Sequence, residues 1–138
     1  MPYRYSIDAI EAAHLALLAL IDAAATPGKV KAYTGSQPAT VETSASGTLL
    51  GTIILADPAG SVSGTTGVLT INAAGSTRDE SADASGEIGY VRITDGDDVG
   101  ILDLPVQAGA AAVSGYAVFN TLTVVADGPI ELVSLVIG

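Results

Sequence analysis

A hydrolase or transferase needs a nucleophile, a base and a group that orients the base. The chain has one histidine, His14, and no cysteine, so His14 is the only imidazole that could serve. It falls on the apolar stripe of an expected helix, where a histidine more often packs than acts as a base, and no serine nearby in sequence reads as its partner. Carboxylates pair at Asp79-Glu80 and gather at Asp95, Asp97, Asp98 and Asp103, which formally permits general acid–base chemistry. In so acidic a chain such groups are expected to be solvated loop residues. The turn Asp95-Gly96-Asp97-Asp98 places three carboxylates within four residues, and hard oxygen ligands of this kind suit calcium. It lacks the twelve-residue spacing and terminal glutamate of an EF-hand, so a bare hairpin turn, with no metal and no cofactor, is expected there. No strand-to-helix Gly-x-Gly-x-x-Gly and no Gly-Lys-Ser/Thr occurs, which removes phosphate-cradling loops. The expectation is a protein that is not an enzyme.

The elements around these residues are bounded by composition. A length of 138 residues suits one domain. Hydrophobic residues make up 49% of the chain, but with one Phe, one Met and no Trp the core must be built from small aliphatics. Charged residues make up 14%, well below the ~25% of an average soluble domain. Fifteen acidic residues against five basic ones give a formal charge of −10, which repels phosphate backbones and anionic lipid. Neither nucleic acid nor a membrane surface is an expected partner. The lack of cysteine leaves the redox compartment unread, and stability must come from burial or assembly.

Residues 6 to about 25 are expected to form the only helix, with Ser6 as cap, Asp8 and Glu11 in or near the first turn, and Pro27-Gly28 as the stop. Ile7, Ile10, His14, Leu17, Leu18 and Ile21 recur at spacings of three and four and form one stripe, which Leu15 and Leu20 widen. The apolar run Leu15 to Ile21 followed by Ala23-Ala24-Ala25 superficially has the form of a signal peptide. Asp8, Glu11 and Asp22 argue against that reading, and no apolar run reaches the ~20 residues of a membrane span.

Tyr3, Arg4 and Tyr5 lie at the extreme N-terminus and are of types enriched at binding hot spots. They form either a tail folded over its own domain or an arm that reaches a neighbour. Together with His14, Leu17 and Ile21 from the stripe, they make up the expected interface.

Beyond Gly28 the period changes to short β-branched runs separated by Gly, Asp, Pro, Ser and Thr. The expected strands are 29–34, 48–55, 68–73, 87–94, 99–106, 117–125 and 130–137. The dipeptide Asp95-Gly96 marks a hairpin from Glu87 to Val106. The fold class expected is mainly β: a seven- to eight-stranded antiparallel β-sandwich or jelly roll with one N-terminal helix. Its parts are an N-terminal arm and helix over 1–28 and a β-sandwich domain over 29–138. The polar stretches 35–47 and 74–86 are expected to be long surface loops, the second of them mobile, and loops of this length commonly bind.

Three stretches carry a resemblance: Lys29 to Thr40 (Lys-Val-Lys-Ala-Tyr-Thr-Gly-Ser-Gln-Pro-Ala-Thr), Gly47 to Ala59 (Gly-Thr-Leu-Leu-Gly-Thr-Ile-Ile-Leu-Ala-Asp-Pro-Ala) and Ser81 to Gly96. Over residues 29 to 138 the chain resembles a family of small tailed-bacteriophage proteins encoded among virion genes. A short acidic β-domain of this kind resembles capsid decoration, or cement, proteins. The resemblance implies a capsid-surface location in the virion after synthesis in the host cytoplasm, with the major capsid protein as partner and a homo-oligomer, dimer or trimer, at each site. A tail, baseplate or fibre component is the alternative. A carbohydrate-binding module is disfavoured, because only Tyr33, Tyr90, Tyr116 and Phe119 could supply aromatic platforms in the sheet region.

Overall fold

The computed structural model describes residues 4–73 and 78–138. Among the described residues the fold is mainly β, with one helix, α1 (Ile7–Ile21), and ten strands. The strands come after the helix: β1 (Lys29–Tyr33), β2 (Leu49–Val62), β3 (Leu69–Ala73), β4 (Arg78–Asp79), β5 (Gly86–Glu87), β6 (Tyr90–Thr94), β7 (Gly100–Ala108), β8 (Tyr116–Phe119), β9 (Thr123–Val124) and β10 (Ile130–Ile137). Each expected run contains a strand. The run at 87–94 divides into β5 and β6, and that at 117–125 into β8 and β9.

Seven strands close on themselves in the order β3-β2-β1-β6-β7-β8-β10, because β3 also pairs with β10. The result is a closed barrel, with β4 added on β10 and β5 paired with β9 as a separate ribbon. Closure removes the free sheet edges that otherwise invite unwanted strand addition.

Two strands turn the corners. The first part of β2 pairs with β1 through Ile54, and its last part pairs with β3 from Gly60. Between them the register slips across Ala56 to Ala59, where Pro58 supplies no ladder donor. At Gly60 a Cβ would collide with the Thr70 carbonyl, so only glycine lets β2 come this close to β3. Likewise β7 pairs with β6 up to Pro105 and with β8 from Val106 to Ala108. That second pairing is parallel, against the expectation of an all-antiparallel sheet. Residues 109–115 make the difference: they carry the chain back past the end of β7, with Gly109 N–H donating to the Phe119 carbonyl (2.9 Å) and Gly115 N–H to that of Val136 (2.8 Å).

Alternation along β1 and β6 sorts the side chains. Val30, Ala32, Val91 and Ile93 point into the barrel and are buried, while Lys29, Lys31 and Tyr33 point outward opposite Thr94, Arg92 and Tyr90. Leu50, Leu55, Leu69, Phe119 and Leu135 complete a core of modest side chains, to which the helix adds Leu18 and Ile21.

The two stretches expected to be free surface loops are tied down. Residues 35–47 lie as a strap over the outer wall formed by β1, β6 and β7. Arg92 Nη1 donates to the Thr43 carbonyl (2.8 Å) and Tyr90 Oη to that of Ser46 (2.8 Å). In the other stretch, residues 74–77 lie outside the described residues, whereas residues 78–86 are held against the barrel. There β4 pairs with β10, Ala82 is buried, Asp83 N–H donates to Leu50 O (2.7 Å), and Asp79 Oδ2 accepts from Thr52 N–H (2.9 Å). This segment satisfies the edge of β2. Apart from the small Ala82 side chain it is anchored by backbone bonds and the Asp79 carboxylate, which leave little hydrophobic mark in the sequence.

Candidate docking surface

The helix begins where Ser6 Oγ accepts from Ala9 N–H (3.1 Å), with Asp8 in the first turn favourably placed toward the helix dipole. It ends at Ile21, four residues earlier than the sequence pattern implies. The cause is tertiary: the Asp22 carboxylate accepts from Ala59 N–H (3.0 Å), in the slipped part of β2, and Ile21 is wholly buried against Gly28. A Cβ at Gly28 would stand 2.6 Å from Ile21 Cγ2 and 2.7 Å from the Thr94 carbonyl, so glycine permits this close seat. Farther up the helix, His14 Nδ1–H donates to the Gly67 carbonyl (2.6 Å), which fixes the ring tautomer and ties the helix to the β2–β3 turn. A Cβ on Gly67 would crowd Ile10 Cγ2 at 2.9 Å.

These contacts decide which helical face is which. Leu18 and Ile21 point inward and are buried, Leu17 packs against the core, and Ile10 and His14 are half-buried on the same side. At 100° per residue, Ala12, Ala16 and Ala19 must then point outward, with Leu20, Ala9 and Ala13 on one flank and Leu15 on the other. Exposure agrees, with Leu15 50% and Leu20 55% exposed; Ile7, on the inner stripe but in the first turn, is 47% exposed, and Tyr5, ahead of the helix, 71%. A half-open depression of about 430 Å³ runs along the flank lined by Tyr5, Ala9, Ile10, Ala13 and His14.

Among the expected interface residues, Arg4 and Tyr5 are exposed and Tyr3 lies outside the described residues. Leu17 and Ile21 are corrected: the stripe they belong to covers the barrel, so Ile21 is core and Leu17 is packed against it. His14 is a tether, with one face toward the depression. The surface missed consists of Leu15 and Leu20 with the alanines between them. Their signal was present, since once the stripe is assigned to the core, residues off it must face away.

The polar clusters are built differently. Arg92 forms a forked pair with Asp103, Nε to Oδ1 at 2.7 Å and Nη2 to Oδ2 at 2.9 Å, with side chains only 7% and 5% exposed. The hydrogen bond to Asp103 raises the guanidinium pKa above its ordinary value against the opposing effect of burial. The Tyr33 and Tyr90 rings stack beside it with centroids 5.4 Å apart. At the β6–β7 turn, Asp95 Oδ1 accepts from Asp97 N–H (2.9 Å) and Val99 N–H (3.0 Å), an arrangement that holds the turn shut. Asp98, at φ 65°, receives both Lys29 Nζ (2.9 Å) and Lys31 Nζ (2.8 Å). Hydrogen bonds from Lys31 and then Lys29 hold its carboxyl down to about 2. With Arg78 set more loosely against Glu80 (3.7 Å) and Glu131 (3.9 Å), four of the five cations are thus spent on internal acids, and among the described residues no three His, Cys, Asp or Glu groups converge as a metal site.

Comparison of the chain with family models, with curated proteins and with solved structures returned no match. Among the described residues no helix is long and apolar enough to cross a membrane.

Proposed function

We propose that this protein is a non-enzymatic structural component that works by docking, and specifically a decoration protein on the outside of a bacteriophage head. The observation that supports docking most is the helix: its inner face is sealed to the barrel while its outer face presents Leu15 and Leu20 beside five alanines, with no charge between Ala9 and Leu20 except the inward-turned Glu11. A soluble monomer gains nothing from such a face, and burying it against protein desolvates no charge. The reactive groups are otherwise occupied: Arg92, Asp103, Asp95, Asp98 and His14 are all engaged within the chain. A second neutral surface runs from Gln107 to Ala112, exposed throughout and uncharged, and gives a shell-facing contact besides the helix. The step from docking to a phage head rests on the resemblance carried by residues 29 to 138.

The test is addition of purified protein to expanded heads lacking it, followed by sedimentation and heating. The proposal predicts saturable co-sedimentation and a rise in the temperature at which heads rupture. Heads that neither bind the protein nor gain heat resistance would end the virion reading.

A further inference from the structure

The helix outer face has a shape that fits its own copy. We infer that a second copy of this chain covers it, in an antiparallel two-fold pair centred on Ala16; this rests on the reading of the helix as a docking surface.

Two observations carry the choice of occupant. The first is self-complementarity. A two-fold axis perpendicular to antiparallel helices brings the same flank of each copy together, and Leu20 and the depression beside Ala9 and Ala13 share one flank. The depression is centred on the turn from Ala9 to His14, so seating Leu20 of one copy in it places the axis close to Ala16 in both. Ala12 then meets the partner's Ala19, the Ala16 positions face one another, and the Leu15 side chains meet on the opposite flank. Small residues at the crossing let the backbones approach, and the leucines fill the space to either side. Every favourable contact occurs twice.

The second observation is charge. Each copy carries −10, and copies brought together elsewhere would set acids against acids. The helix face offers an approach with no outward-turned charge between Ala9 and Leu20. The face is also small: a helix of 15 residues presents on the order of 250 Å², against roughly 800 Å² per partner in a standard interface. The pair is therefore weak in solution, is strengthened by salt that screens the residual repulsion, and becomes strong only where a surface already holds many copies close together.

The chain has no cysteine, which makes a single introduced thiol a clean reporter. Ala16→Cys, Ala23→Cys and Ser114→Cys all replace exposed residues, and each variant is oxidised mildly at equal concentration. The inference predicts that Ala16→Cys forms a disulfide dimer at least about tenfold faster than the other two, because only at the axis do like positions come within disulfide reach. Raising salt should speed it further, and Leu20→Asp in the same background should return it to the control rate. Equal rates at all three positions would overturn the pairing, and equally fast linkage at Ala16 and Ala23 would overturn its antiparallel sense. Binding of the unmodified chain to heads reports separately: heads that bind a protein whose Ala16→Cys variant does not cross-link would refute this pairing and leave the docking function standing.

Discussion

On the wall covered by residues 35–47, the side chains of Arg92 and Asp103 are 7% and 5% exposed; they are forked to each other, and Arg92 also donates to the Thr43 carbonyl of the strap. On the outer side of the helix, Leu15 and Leu20 are half exposed, and among the described residues no strap covers them. Polar side chains on the outer wall of the barrel are thus buried beneath a covering on one side, and apolar side chains of the helix are left exposed on the other. Covering the first wall is a matter of folding, because a buried forked ion pair must be satisfied within the chain or cost several kcal/mol. On the proposed function, covering the second is left to association. The two regions should therefore respond to substitution in opposite ways, one losing stability and the other losing partners.

The largest effect should come from Asp103→Ala, which strands the Arg92 guanidinium and lowers unfolding free energy by about 3–5 kcal/mol in urea titrations. Replacing both members, with Arg92→Leu and Asp103→Leu together, should cost much less, since no charge is left unpaired. A double replacement as damaging as the single one would show that the strap, rather than the charge, is what matters. On the inner side of the helix, Ile21→Ala should cost about 2–5 kcal/mol, because the residue is wholly buried against a glycine that cannot collapse far into the gap. Loss of the cap in Ser6→Ala should cost about 1 kcal/mol and fray the first helical turn, measurable as faster amide exchange at Ala9.

The smallest effect concerns the exposed turn. The Asp98 carboxyl is held down to about 2 by Lys31 and Lys29, so its contribution to stability is present above the ordinary carboxylate pKa and is lost as pH falls through about 2. Lys29→Ala with Lys31→Ala should lower stability slightly at neutral pH, since exposed pairs contribute little, and flatten the acid limb by the same small amount, so that variant and parent converge as pH falls from about 4 to about 2. A large loss at pH 7 would mean that this turn, like the strapped wall, is structural.

Much of the fold could be read from residue order. Val30 and Ala32 alternating with Lys29, Lys31 and Tyr33 mark β1, Asp95-Gly96 marks the β6–β7 turn, and Ser6 marks the helix start. Barrel closure could not be read, because it depends on two residue pairs between β10, near the C-terminal end, and β3, in the middle of the chain, and pairing of backbones leaves no side-chain signature. The strap was hidden for a similar reason: Thr43 and Ser46 act through their carbonyl oxygens, which every residue has. The expected interface residues depart from what the structure shows at one step. The stripe of Leu17, Leu18 and Ile21 was legible, but an amphipathic stripe says that a face is covered without saying whether by the chain itself or by a neighbour. The barrel covers it, and that leaves Leu15 and Leu20 outside.

The most direct test of the contrast between the two regions is sedimentation equilibrium and thermal melting, measured side by side on the unmodified chain and on Leu15→Asp/Leu20→Asp. The account predicts that the double variant melts within about 0.5 kcal/mol of the parent, because both side chains lie outside the core. It should also remain monomeric at concentrations and salt where the parent self-associates. A variant that still associates like its parent, or a parent that stays monomeric at every concentration and salt, would contradict the claim that the helical flank is where this protein meets its own kind.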